Sequence, residues 1–373
     1  MKAFFKRHWK LHLWLLAELA FLGLFCLVRG NRAWMNALKE QVVAPFRRFL
    51  GSLCYRVDFS VMEVLCILVV LGTAAYLVWS IIAVVRAKGR RGDRTYSALL
   101  GAVCAVLTVY GGFCALWGVE YYADSFQDRS GVYAQPVATE DLITVTAYFA
   151  QMLQDTADTV PREENGLFAV SKEQILSEST DIYGEVEDLF PFLAFSDRGV
   201  KAVHFSRVMS AMNFTGIYCP FTGESNVNVD SPACLLPSTV AHELAHQRGV
   251  AAEEECNFLS ILACTTSGLA DYTYSGWLFG YIHLSNALYR ADPEAWQAIR
   301  DTLPETVRAD IADNNAYWNQ FEDKATATIT QGVYDGFLKS YGDTDGVQSY
   351  GTVVDLLVTW YLPQAQTSAG GTP

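Results

Sequence analysis

The stretch PSTVAHELAHQRGVAAEEECNF, residues 237–258, decides how this chain is read. Pro237 and Ser238 can open a helix, and Gly249 can close it. In such a helix His242 and His246 stand one turn apart on one face, with Glu243 beside the first. Two imidazoles at that separation can hold one zinc ion, and the adjoining glutamate is placed to take a proton from water. A pattern this short also arises by chance, so the surrounding residues must supply the missing donor.

A catalytic zinc takes three protein ligands and leaves a fourth position for water. The chain has six histidines. His8 and His12 belong to an apolar N-terminal segment, which leaves His204 and His283. A third histidine six residues after His246 would fall on Ala252, so that arrangement is absent. The nearest acids are Glu253, Glu254 and Glu255, all beyond Gly249. On one straight helix Glu253 would lie roughly 10 Å along the axis from His246, so the chain must turn at Gly249. Glu253 is the expected third ligand and Glu255 the alternative; Glu254 should face away. Asn257, one turn after Glu253, can hydrogen-bond a ligand histidine and hold its ring. The bland alternative is that the glutamates only open a helix, where negative charge is favoured.

The formal charge of −13 hides a division. Residues 1–119 carry fifteen Lys/Arg against five Asp/Glu, whereas residues 120–373 carry twelve against thirty-five. An acidic second part argues against a nucleic-acid partner. The first part predicts three transmembrane helices, at about 11–28, 61–85 and 97–119, in a lipid bilayer. Nine Lys/Arg flank the N-terminus and the loop between the second and third spans, against six in the first loop, Arg29 to Arg56. That vote places the acidic part outside the cytoplasm. Met35, Leu38, Val42, Phe46, Phe49 and Leu53 recur at helical spacing in the first loop and predict a helix along the membrane surface, interrupted near Pro45. Glu18, inside the first span, is expected to pair with a neighbour.

Residues 120–138 read as a linker. Helices are predicted over 139–156, 171–189 and 257–270, and short strands over 199–206 and 226–229. The tail 366–373 reads as disordered. Cys219 and Cys234 could pair outside the membrane, or remain free and buried.

The stretch YCPFTGESNVNVDSPACLLPSTVAHELAHQRGVAAEEECNFLSILAC resembles an uncharacterised bacterial membrane family, domain of unknown function 3810. VYDGFLKSYGDTDGVQSYGTVVDLL, Val333–Leu357, resembles its C-terminal part. Cys256 departs from the alanine usual in such sequences. The resemblance implies a zincin-type metallopeptidase, and Glu253 followed by Asn257 is similar to the gluzincin arrangement. By the same analogy Asn226 and Asn228 would border a peptide cleft beside an edge strand, or form an ordinary edge strand. A Tyr or His would stabilise the oxyanion. His283, Tyr274, Tyr289 and Tyr350 are candidates, with Tyr350 favoured because it lies in the second family-like stretch.

The expectation is therefore a mainly α chain. An N-terminal three-helix transmembrane region (1–119) precedes a mostly helical zincin-like domain (139–365) with a small β element. The expected function is a multi-pass, membrane-anchored zinc metallopeptidase of the bacterial cell membrane, its catalytic domain extracytoplasmic. It would act on a peptide or protein substrate with Zn2+, and Glu243 as general base. The rival reading is a non-catalytic membrane receptor or scaffold that retains a structural zinc site.

Overall fold

The computed structural model describes residues 2–196, 198–322, 328, 332 and 350–370. The chain divides into two compact units. The first comprises Met1–Ala123 together with a distant turn, Pro220–Gly223; the second comprises the remainder.

The first unit holds α1 (Lys2–Val28), α2 (Arg32–Leu38), α3 (Ala44–Cys54), α4 (Val61–Arg86) and α5 (Arg91–Phe113). Three helical segments, Phe4–Val28, Val61–Arg86 and Arg91–Gly118, are long and apolar enough to cross a membrane. Contacts between α1 and α5 advance in step. Ser97 Oγ meets His8 Nδ1 at 3.0 Å, Cys104 Sγ meets Leu11 O at 3.7 Å, and Thr108 Oγ1 donates to Glu18 Oε1 at 2.6 Å. The two helices are therefore parallel. Glu18 also accepts from Trp14 Nε1 at 3.0 Å, so this acid within a candidate span is paired.

Helices α2 and α3 are joined by a π-helical turn at Lys39–Val43, just ahead of Pro45. Trp34, Val42, Phe46, Phe49 and Leu53 are exposed, while Met35, Val43, Arg47 and Gly51 are buried, so the apolar stripe is the outward one. On the inward side Lys39 and Arg47 both pair with buried Glu120, and Arg47 stacks on Trp117. Gly51 packs closely: a Cβ there would meet Gly223 O at 3.1 Å.

The second unit contains α6 (Phe126–Ser130), α7 (Thr139–Thr156), α8 (Lys172–Ser177), α9 (Gly184–Leu189), α10 (Ser206–Ala211), α11 (Leu236–Gln247), α12 (Glu253–Thr266), α13 (Ala270–Ala291), α14 (Pro293–Arg300), α15 (Glu305–Glu322) and α16 (Tyr350–Gly370). Its three-stranded sheet has the order β1 (Lys201–Ala202), β3 (Glu224–Val227), β2 (Gly216–Cys219). β1 pairs with β3 in parallel and β2 pairs with β3 antiparallel. The core forms where α13 packs on α7 and α12, and α11 packs on α12 and β3. Phe149, Leu244, Phe258, Leu259, Tyr272 and Leu278 are all fully buried there.

Several expected boundaries move. The predicted helix over 171–189 is two helices, because the Ser179 hydroxyl donates to Leu176 O (2.7 Å) and accepts from Val200 N (3.4 Å), diverting the ladder. The strand expected over 199–206 shrinks to Lys201–Ala202. The linker contains α6, whose Phe126 is buried and whose Ser125 and Asp128 form a capping box. The tail expected to be disordered is helical as far as Gly370, with Ala365 buried and Gln364 and Gln366 as good helix formers. Cys219 and Cys234 are buried, unbridged thiols.

Candidate metal centre

Helix α11 ends where its sequence says it should. Gly249 takes φ +86°, its N–H bonds His246 O at 2.9 Å, and the Val250 N–H bonds Ala245 O at 3.2 Å. This pair of bonds is a Schellman cap, which needs a residue able to adopt the left-handed region. The chain turns, and α12 begins at Glu253. The predicted turn thereby brings Glu253 back to the histidines.

His242 Nε2 lies 3.1 Å from His246 Nε2. Glu253 Oε2 is 3.2 Å from His242 Nε2, and its Oε1 is 3.7 Å from His246 Nε2. The outer ring nitrogens are committed elsewhere. His242 Nδ1 donates to Asn257 Oδ1 at 2.8 Å, and His246 Nδ1 donates to Val250 O at 2.8 Å. With both Nδ1 atoms protonated, each Nε2 presents a lone pair inward. Two lone pairs and a carboxylate around one point repel unless a cation joins them. Nitrogens of a tetrahedral zinc, at about 2.0–2.1 Å from the metal, would stand about 3.3 Å apart. The observed spacing fits that donor set.

Charge follows the same logic. Burial disfavours ionisation of His246 and Glu253 alike, but attraction wins. Cys256 and Glu253 raise His246 well above the usual imidazole value, and His246 and His242 hold Glu253 well below the usual carboxylate value. Without metal a proton can occupy the place a cation would take.

Cys256 shares this neighbourhood, its thiol within 4.8 Å of both imidazoles. Its Sγ, however, sits 3.3 Å from His246 Nδ1 and 3.4 Å from Val250 O, on the outer edge of the ring. Burial pushes the thiol up to about 12. Glu253, on the inner edge and ionised, is the better third donor.

Glu243 is 3% exposed, and its Oε2 is buried with no hydrogen-bond partner among the described residues. Burial raises its carboxyl to about 7, helped by Glu253 and opposed by His246 and His242. Its main chain is fixed by Ser225, whose hydroxyl donates to Glu243 O at 2.9 Å. Helix α11 is anchored on a second side by Tyr183, donating to Ala241 O at 2.8 Å.

Glu255, the alternative ligand, is engaged elsewhere. Its oxygens accept from the backbone N–H groups of Phe126 (2.9 Å) and Gln127 (3.1 Å), capping α6. Asn226 and Asn228 do not border a cleft. β3 is the central strand, and both side chains are buried. Asn226 Nδ2 donates to Glu224 O at 3.2 Å, and Asn228 Nδ2 to Ser210 Oγ at 2.8 Å. The outer strand nearest in sequence is β2, which four residues, GIYC, gave little chance of being recognised.

Among the oxyanion candidates, Tyr274 is buried and donates to Asp310 Oδ2 at 2.5 Å. Tyr289 is exposed and meets Trp296 edge to face. Tyr350 opens α16, and its side chain lies outside the described residues, as does much of Val333–Leu357. His283 is buried against Phe279, and burial, then the nearby His242, lowers it to about 4. His204 is exposed on the loop after β1.

Residues 39–358 match the model of a family described as Protein of unknown function (DUF3810). The chain belongs to that family. The match takes in α3, the last two candidate spans and the residues His242, Glu243, His246 and Glu253, and it covers part of both units. No curated protein and no solved structure matches the chain.

Proposed function

We propose that this member of DUF3810 is a zinc-dependent peptidase anchored in a bacterial membrane, with its second unit outside the cytoplasm. The observation that carries the proposal is the convergence of His242 Nε2, His246 Nε2 and the Glu253 carboxylate, with both outer ring nitrogens tied down. When bound to these residues, zinc supplies Lewis acidity, lowering the pKa of a coordinated water toward ~7 and polarising a carbonyl.

Glu243 accepts the water proton at its carboxylate and then delivers it to the leaving amine nitrogen. The Glu243 carboxylate, buried beside both imidazoles, is placed for both steps. Asn257 and Val250 O keep the imidazoles in the tautomer that faces inward. β2, with a sheet partner on one side, offers an extended peptide a backbone to pair with. A site that served structure alone would have no use for an acid buried without a hydrogen-bond partner.

Orientation is supported by the first unit. Six basic residues in the first loop oppose nine at the N-terminus and between the second and third candidate spans.

The test is Glu243→Gln in the purified full chain, assayed with fluorescein-labelled casein. Zinc content should match wild type while cleavage falls by about 100-fold or more. Undiminished cleavage would remove Glu243 from the mechanism.

A further inference from the structure

Gly216 begins β2 and lies against the Glu243 side chain. A methyl group on its Cα would overlap Glu243 Oε1 and come within 2.8 Å of Cδ and Cγ. Non-bonded carbons settle at about 3.5–4.0 Å, so the two groups could not coexist. We infer that Gly216 is a positioning residue for Glu243: the side chain it lacks is the slot that holds the carboxylate.

The backbone does not explain this glycine. Among the described residues the left-handed glycines are Gly89, Gly131, Gly166, Gly223, Gly249 and Gly268, and Gly216 is not among them. It pairs with Val227 in regular antiparallel register. A glycine in a strand weakens it by leaving nothing to pack and by costing chain entropy. At this position that loss is exchanged for space. The remaining walls are firm: Ser225 holds the Glu243 carbonyl, and the side chain is almost wholly buried. Because the nearest overlaps are all with the Glu243 side chain and none with backbone, alanine at 216 spares the strand and both imidazoles and displaces the carboxylate. The consequence for hydrolysis rests on the proposed role of Glu243. The spatial claim does not, so the two can fail separately.

The experiment is a double-variant cycle on the full chain. Its first readout is thermal unfolding of the chelated, metal-free protein. Gly216→Ala should lower Tm by about 3 °C in the wild-type background. With Glu243→Ala the slot is empty, and the same change should leave Tm level or raise it, because alanine replaces a flexible glycine. Should Gly216→Ala alone not fold, recovery of folded protein in the double variant is the same outcome in stronger form. An equal loss in both backgrounds, or failure of both to fold, overturns the inference. The second readout uses zinc content and labelled casein: Gly216→Ala keeps its zinc, keeps KM and loses about 100-fold in kcat. Unchanged kcat alongside the reversed Tm would leave Gly216 as the slot and remove Glu243 from the reaction. Unchanged Tm in every background would remove the slot whatever the activity.

Discussion

At His242 and His246 the outer ring nitrogens are tied to Asn257 Oδ1 and Val250 O, and this turns both Nε2 lone pairs toward Glu253. Replacing Asn257 by alanine frees the first ring, and zinc affinity should fall about 10–100-fold by competition with a chelating dye. Glu253 and Glu255, two positions apart, separate in the same assay. Glu253→Gln should lose zinc. Glu255→Gln should keep it and instead lose on the order of 1–2 kcal/mol of stability by denaturant titration, because a charged cap on α6 is gone. Glu243 carries a pH signature. Its folded value is raised from 4.5 to about 7, so the metal-free protein is favoured by the neutral acid below about 4.5 and loses that contribution as pH rises through 7. Chelated Glu243→Gln should therefore be more stable than wild type at pH 8, by on the order of 3 kcal/mol, with the advantage vanishing near pH 4. An advantage independent of pH would contradict the buried-acid account. Most of this chemistry is legible in the sequence, because helical spacing fixes which residues share a face. The part that is not legible is which groups the outer ring nitrogens find: Val250 contributes a carbonyl, and a carbonyl leaves no mark on residue type.

Among the elements, the turn between α11 and α12 matters most. Gly249 at φ +86° lets Glu253 return to the histidines. Gly249→Ala strains that cap by about 1 kcal/mol and should weaken zinc binding as well as lowering Tm. A loss of Tm with unaltered zinc affinity would show that Glu253 reaches the site by another route. The turn was readable because glycine closing a helix has a local cause. The sheet was not. β2 is four residues long, and its membership depends on pairing with β3, a contact that no local pattern encodes. Asn226 and Asn228 were misplaced for the same reason: alternation identifies a strand but not whether it lies at the edge or the centre. The break between α8 and α9 came from the Ser179 hydroxyl competing for backbone groups, which apolar periodicity does not reveal.

Over the whole molecule, the division into a basic apolar part and an acidic part is the most legible feature, since both lipid and water act on composition. Three apolar helices and a separate helical unit follow from it. The boundary falls at Ala123 rather than at either end of the expected linker, because α6 is held by Glu255 within the second unit. An extracytoplasmic second unit predicts that a C-terminal alkaline phosphatase fusion is active and a C-terminal green fluorescent fusion dark; the opposite pattern would reverse the orientation. The central claim is that two imidazoles and one carboxylate share a cation. It is tested most directly by elemental analysis of the purified full chain beside His246→Ala. The account predicts about one zinc per wild-type chain and less than about a tenth of that in the variant. Equal zinc in the two proteins would contradict it.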